Sequence, residues 1–503
     1  MATQHPDSAS RGFSVEEEVE EALRDLLPRN RGGLGLDEKM IDYEGKLTPY
    51  HQVAWVVEET LRHGLQPGED FLLTPRIPSE RLEEPERQIM VLWGVLVANK
   101  KSIVEAGSPA VRYIITPMCS SGYEVYVLQR RILKMQRLAE EELGVKTGYI
   151  EVIPLVEDME SLLHVDKILE GMKNALLTHL GLHYSHYRVL LGKSDTALAY
   201  GHPASSIALV YALSRLYKWA EDENTRVHPI IGVGALPFRG HLSPWSVDIF
   251  VKQYRGYSTA TIQSGIRYDQ GPRAVEKVVN VLLENLHERP RILNADEEKL
   301  LINIAKLFTA EYLRFVLRII ELIPHVASFV PRRRARLSYG EYPRSIDKSL
   351  AFAAEKELLY MKPPRDLKLP RAISYAASLY TMGIPPSLIG LGRGLKRIEK
   401  ELGSDAVEYL LKVLPLLRRD AEYDIRFYVP EVVMSYIKDE KALQLLKEDI
   451  AITKNFIDGG NTPEPQEEYI ETLRSAERAI KLGIKEAAEQ AIARAGVIRG
   501  SLG

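Results

Sequence analysis

A chain of 503 residues, 45% hydrophobic and 27% charged, can bury a large core beneath a mixed-charge surface. Its 66 basic residues stand against 69 acidic ones for a net charge of -3, which argues against bulk nucleic-acid or polybasic membrane binding while leaving room for a local basic pocket. The one cysteine, Cys119, excludes an intramolecular disulfide framework and a multi-cysteine zinc site.

The chain opens with a polar stretch, Met1 to Phe13, that lacks the apolar core of a signal peptide and reads as a floppy tail. Ser14-Val15-Glu16-Glu17 is a capping box, followed at helical spacing by Val15, Val19, Leu23 and Leu26. Pro28 to Gly35 breaks that helix, and a second is expected from about Pro49 to Arg62. From residue 70 the pattern changes to short apolar strands, each followed by an amphipathic helix. The expected strands are Phe71–Leu73, Tyr113–Ile115, Tyr149–Val156, Arg188–Leu191, Pro229–Leu236 and Ser258–Gln263.

Six consecutive strand–helix units call for parallel strands with right-handed crossovers, and hence for a doubly wound sheet or an eight-stranded barrel. No glycine-rich dinucleotide fingerprint opens the first unit, which favours the barrel. Two further strands, at Val326–Val330 and Ala372–Tyr375, would bring the count to eight. A long helix, about Glu297 to Leu322, and a basic turn, Pro331 to Arg336, lie before or between them, and after about Leu391 the chain reads as helix only. The expected fold is therefore an α/β (β/α)8 barrel of TIM type with many added helices. Residues 1–65 pack on it, residues 66–390 form it with helical insertions, and residues 391–503 make a helical region, all in one compact unit. No run approaches the ~18 apolar residues of a membrane span, so the expected location is the cytoplasm.

In such barrels the working residues project from the carboxyl ends of strands. Here those positions carry Arg76, Glu157, Lys193, Asp195, Arg239 and His241. Two carboxylates on neighbouring strand ends, Glu157 and Asp195, can share one hard cation, magnesium or manganese, with water and substrate completing the shell. Arginines beside it would clamp a phosphate or carboxylate. The competing reading is that both acids only cap the helices that follow.

At these residues the chain resembles the phosphoenolpyruvate carboxylases, in their short archaeal type. Ile153-Pro154-Leu155-Val156-Glu157 is similar to the family's Val-Pro-Leu-Phe-Glu metal segment, and Gly192-Lys193-Ser194-Asp195 to its Gly-Tyr-Ser-Asp segment. Phe238-Arg239-Gly240-His241 resembles Phe-His-Gly-Arg with histidine and arginine exchanged. Thr261-Ile262-Gln263 with Arg267 resembles Thr-x-Gln followed by arginine. Arg371-Ala372-Ile373-Ser374-Tyr375 resembles an Arg-Ala-Ile-Pro-Trp strand, and Thr3-Gln4-His5-Pro6 resembles the Thr-Ala-His-Pro segment that holds a catalytic histidine. Each motif is short; their shared order from residue 3 to residue 375 makes the match specific. Two departures are plain: Leu198 replaces the family's lysine, whose charge Lys193 could supply, and Arg499 to Gly503 replaces the Asn-Thr-Gly end, so aspartate feedback is not implied.

The resemblance implies an anaplerotic lyase that joins bicarbonate to phosphoenolpyruvate through carboxyphosphate and a metal-bound enolate. It implies Glu157 and Asp195 as ligands of Mg2+ or Mn2+, no biotin, and a homotetramer. His5, His241, Arg239 and Arg371 are then the expected catalytic residues, and Arg76, Lys193 and Arg267 bind substrate. A metal-dependent lyase or aldolase acting on an oxoacid enolate is the alternative within enzymes, and a helical scaffold the alternative outside them.

Overall fold

The computed structural model describes residues 1–4, 8–332, 346–361, 367, 369–457 and 466–503. Seven parallel strands run in sequence order across one sheet: β1 (Glu38–Asp42), β2 (Leu72–Arg76), β3 (Tyr113–Thr116), β4 (Glu151–Val156), β5 (Tyr187–Gly192), β6 (Val227–Gly232) and β7 (Thr259–Ala260). A sheet whose order repeats the chain order has every crossover on one face, so the helices between strands form an outer layer. Among them are Pro85–Ala106, Gly122–Leu143, Val165–Leu180 and His202–Asp222. No described helix is long and apolar enough to cross a membrane.

The sheet is strongly curled. Glu38 on β1 takes two hydrogen bonds from Arg188 on β5, at 2.9 and 2.8 Å, a contact that strands four places apart make only across a concave interior. Met40, Ile115, Ile153, Leu155, Leu190 and Ile230 form a small apolar cluster apart from the main core, while Ile41, Val152, Val189, Leu191 and Ile231 join the main core beneath the helices. That is the two-residue alternation of a strand with both faces buried.

Met1–Gln4 close on both edges of this sheet. Ala2 N–H donates to Glu38 O (2.7 Å), Met40 N–H to Ala2 O (2.8 Å) and Gln4 N–H to Met40 O (3.1 Å); on the other side Ile262 N–H donates to Met1 O (2.8 Å) and Thr3 N–H to Ile262 O (3.2 Å). Ala2 thereby bridges Lys39 and Ile262 in parallel fashion. Met1–Gln4 of the expected tail form a buried, strand-like element. The expected strands at Val326–Val330 and Ala372–Tyr375 are not strands. The helix Leu322–Ala327 and the turn after it take up the first, and the helix Ala372–Thr381 covers the whole of the second. Short apolar runs do not distinguish a strand from a buried helix, and the backbone partners they would need are already taken by the amino-terminal segment.

The capping box is formed as expected, with Ser14 Oγ accepting from Glu17 N–H and Glu17 returning a bond to Ser14 N–H, at the head of the helix Val15–Leu26.

Candidate functional site

Counting by twos along the pleat places Glu38, Met40 and Asp42 of β1 on the concave side, with Thr74 and Arg76 of β2, Ile153 and Leu155 of β4, Leu190 and Gly192 of β5, and Ile230 and Gly232 of β6. Glu157 continues the β4 series one step beyond the strand. The carboxyl mouth of the curl therefore carries Asp42, Arg76 and Glu157 beside two residues without side chains, Gly192 and Gly232, which pair in register. A Cβ built on Gly192 would stand 2.9 Å from Glu157 Cβ, so Glu157 lies directly against that glycine. Gly232 is closely packed as well: a Cβ there would meet Leu191 O at 3.1 Å and Leu190 Cδ1 at 3.2 Å.

Neither acid is a helix cap. Asp158 is the residue that caps Met159–Leu163, accepting from Glu160 and Ser161 N–H, and Asp195 sits in the first turn of Ser194–Tyr200, behind Lys193. Thr196 Oγ1 donates to the carbonyl of Glu157 at 2.8 Å, tying the strand end that bears one acid to the turn that bears the other. Among the described residues no group of three or more His, Cys, Asp or Glu converges as a complete cation shell. A cation here would take two carboxylates and fill its shell from water and substrate, the pattern of a hard, oxygen-seeking ion.

Arg239 reaches this mouth from the turn Pro237–Arg239 after β6. It is buried, with Nε donating to Ser194 Oγ (3.0 Å), Nη2 to Gln263 Oε1 (2.7 Å) and Nη1 to an oxygen of Gly503 (3.1 Å). Burial pushes its pKa down to about 10, against the pull of the Asp195 charge, so it is a cation at neutral pH. Arg76 donates from Nε and Nη2 to the two oxygens of Asp42, at 2.9 and 2.7 Å, and from Nη1 to Glu44 at 3.1 Å. Arg371, just before Ala372–Thr381, lies 3.8 Å from the same Glu44. Arg76 and Arg371 are thus brought together through one carboxylate.

Lys193 turns away from the carboxylates. Its Nζ donates to Ser205 Oγ (2.7 Å) and to the carbonyl of Phe238 (3.3 Å), and meets His202 Nδ1 at 3.2 Å. Burial pushes this ammonium down to about 7, opposed by Asp420. His202 Nε2 lies 2.9 Å from one oxygen of Asp420, and His241 Nδ1 lies 2.6 Å from the other. His241 has a left-handed backbone, φ 56°, following Gly240 in a loop pinned by its own N–H to Leu236 O and by Leu242 N–H to Gly234 O. A residue with a Cβ pays about 1–2 kcal/mol for that conformation, and such strain is typically kept where a side chain must be aimed.

Arg267 does not face the mouth. It is fully buried, donating to Asp25 and Glu21 of the first helix and to the carbonyl of Thr3. Lys39 joins the same acids at 2.7 and 3.1 Å. Its reach is to the backbone that leads to residue 5. His5 itself, and the basic turn from Arg333 onward, lie outside the described residues.

Three residues that sequence reasoning passed over sit in this constellation: Asp42, His202 and Asp420. Asp42 ends a strand that was not foreseen. His202 reads as an ordinary helix start before Pro203, and Asp420 lies in a helix, Leu416–Asp424, with no spacing signal to either histidine.

A family model described as phosphoenolpyruvate carboxylase matches residues 1–503. The protein named phosphoenolpyruvate carboxylase from Methanosarcina barkeri is 35% identical over 476 residues, covering 92% of this chain and 89% of its own. The like-named protein of Thermofilum pendens is 35% identical over 487 residues, 96% of this chain and 97% of its own. That of Pyrobaculum arsenaticum is 35% identical over 442 residues, 88% of each.

Proposed function

This chain belongs to the phosphoenolpyruvate carboxylase family, and from that premise we propose that it is a cytoplasmic enzyme joining bicarbonate to phosphoenolpyruvate to give oxaloacetate and phosphate. The observation that carries the reading is the meeting of Glu157, Asp195 and Arg239 at three successive strand ends, with Glu157 packed directly against Gly192. We read the curled sheet with Met1–Gln4 as an eight-stranded barrel of TIM type, whose carboxyl mouth is the usual seat of chemistry.

Arg239 faces the phosphate of the substrate, with Arg76 and Arg371 across the mouth, oriented by Asp42 and Glu44. An oxygen of bicarbonate attacks phosphorus, the bond from phosphorus to the enol oxygen breaks, and the electron pair leaves with that oxygen. The arginines neutralise charge throughout the transfer. A divalent magnesium or manganese ion held by Glu157 and Asp195 would supply positive charge for that oxygen. The carboxyphosphate so formed gives up its carboxyl proton to His241 Nε2, its C–O bond breaks to release carbon dioxide, and the proton passes on to the departing phosphate. Carbon 3 of the enolate then bonds to carbon dioxide. His241 suits the proton task because its ring is buried and its Nε2 has no hydrogen-bond partner among the described residues. Lys193 and Arg267 act at one remove, Lys193 by holding the His202 ring and Arg267 by fixing the Thr3 carbonyl.

A homotetramer is part of the proposal. Tyr123, Leu138 and Leu177 are exposed apolar side chains on the packed neighbours Gly122–Leu143 and Val165–Leu180, which supports a covered face.

The test is an assay coupled through malate dehydrogenase, with and without bicarbonate and magnesium. Oxaloacetate and phosphate should appear together and depend on both. Oxaloacetate or pyruvate formed without bicarbonate or phosphate release would overturn the reading in favour of a lyase or aldolase.

A further inference from the structure

The helical region after the sheet sends one carboxylate into the site, and its geometry is more specific than a buried ion pair requires. Asp420 is buried, on the helix Leu416–Asp424, and each of its oxygens meets a different imidazole: Oδ1 to His241 Nδ1 at 2.6 Å and Oδ2 to His202 Nε2 at 2.9 Å. The two rings come from different sheet units, one from the loop after β6 and one from the head of the helix after β5.

The placement of protons follows from what each atom can do. Burial works to raise the pKa of Asp420, but the hydrogen bonds from His202 and His241 hold it down to about 2, so the group is a carboxylate and can only accept. Both facing ring nitrogens must then carry hydrogen. For His202 that fixes Nε2–H, and leaves Nδ1 as the acceptor that Lys193 Nζ meets at 3.2 Å. For His241 it fixes Nδ1–H. In the neutral ring the lone pair is then confined to Nε2, the nitrogen that is buried and unpartnered among the described residues. The other tautomer would give up a 2.6 Å charge-assisted bond.

The same helix also fixes the plane of the ring. Tyr423 follows Asp420 by three residues, on the same helical face, and its ring centre lies 4.9 Å from that of His241. Carboxylate and phenol ring thus hold the imidazole edge and face, and the strained backbone at φ 56° supplies the third constraint.

We propose that Asp420 is the positioning residue of the reaction: its carboxylate locks His241 in the Nδ1–H tautomer, aims Nε2 at the reacting carboxyl group, and takes up the charge when that nitrogen is protonated. The proposal rests on the reading of His241 as the proton-handling group. Its chemistry is that of an acid held behind a histidine, in which the carboxylate itself never receives the proton. One carboxylate serves two rings, so the helical region and both sheet units are coupled through a single residue.

The experiment combines Asp420→Asn, His241→Asn and the double variant, with kcat, KM for phosphoenolpyruvate and melting temperature measured for each. An asparagine preserves shape but cannot accept from both rings. Asp420→Asn should lose about 100-fold in kcat, with KM for phosphoenolpyruvate and melting temperature close to those of the parent. His241→Asn should lose at least as much, and adding Asp420→Asn to it should cost nothing further, because a residue acting only through His241 has nothing left to act on. Full turnover in Asp420→Asn beside an inactive His241→Asn would overturn the proposal alone, as would losses that multiply in the double variant. Full turnover in His241→Asn would overturn the reading of His241 and take this proposal with it. If Asp420→Asn does not fold, nitrogen-15 histidine spectra of the parent, with the His241 signal assigned by its loss in His241→Asn, decide the matter: a ring protonated at Nδ1 is expected, and a neutral ring protonated at Nε2 overturns the proposal.

Discussion

Replacing Gly192 by alanine tests the position of Glu157 with one methyl group. The new Cβ would stand 2.9 Å from Glu157 Cβ, 3.3 Å from Leu155 Cδ1 and 3.5 Å from Glu157 Oε2, whereas carbons rest comfortably at about 3.5–4.0 Å. The backbone at Gly192 is not left-handed, so alanine suffers no conformational penalty and the crowding is the whole effect. Overpacking of this kind costs about 1–3 kcal/mol. Glu157 stands just past the end of its strand and can relieve the crowding by moving its carboxylate, in which case the same energy appears as weaker cation binding, about 5- to 150-fold. The assay is the magnesium concentration for half-maximal rate at saturating phosphoenolpyruvate, with a melting curve alongside. Gly232→Ala is the matched control, because its Cβ would crowd Leu191 O at 3.1 Å and Leu190 Cδ1 at 3.2 Å rather than a carboxylate; it should lose stability and keep its magnesium requirement. A parental magnesium requirement in Gly192→Ala, or an equal rise in Gly232→Ala, would refute the placement of Glu157 as a cation ligand.

Two further outcomes are expected. Gln4→Ala removes an amide that accepts from Asp42 N–H (2.9 Å) and donates to Glu18 (2.9 Å) and Gln52 (2.8 Å) in the buried seam between amino terminus and sheet; urea unfolding should show a loss of about 2–4 kcal/mol, and an unchanged midpoint would mean the seam is not rigid. Glu151, at the amino end of β4, is pushed up to about 7 by burial, with Arg188 opposing. A carboxyl raised in the folded state adds stability below its unfolded pKa, near 4.5, and loses it as pH rises through about 7. Glu151→Gln should therefore melt above the parent near pH 8, with the gap closing toward pH 4.5; a gap independent of pH would count against the shift.

The six strands β2 to β7 were legible because each is an apolar run feeding an amphipathic helix. β1 was not. Its sequence, Glu38-Lys39-Met40-Ile41-Asp42, is three-fifths charged yet wholly buried, and is tolerable only because Arg188, Asp25 and Arg76 arrive from elsewhere to pair those charges. The closing element was misplaced for a related reason: Val326–Val330 and Ala372–Tyr375 have the right composition, but the open sheet edges are claimed by residues 1–4, and local composition carries no record of that pairing. In the site, the order of the strand-end motifs led to Glu157, Asp195 and Arg239. Asp420 escaped, because its partnership with His202 and His241 spans 218 and 179 positions and is made by tertiary packing alone.

The seam between Met1–Gln4 and the two sheet edges has a consequence for biosynthesis. Its residues are made about 260 positions ahead of Ile262, with which they pair. At about 5–20 residues per second the delay is on the order of 10–50 s, during which the amino-terminal segment, paired with β1 on one side, lacks its other neighbour and offers an open edge to other chains. Contacts so distant along the chain also make the last folding step slow. A nascent chain paused before residue 262 should therefore be the species most prone to aggregate, and its release past that point the moment when the sheet and the mouth of the site take shape together.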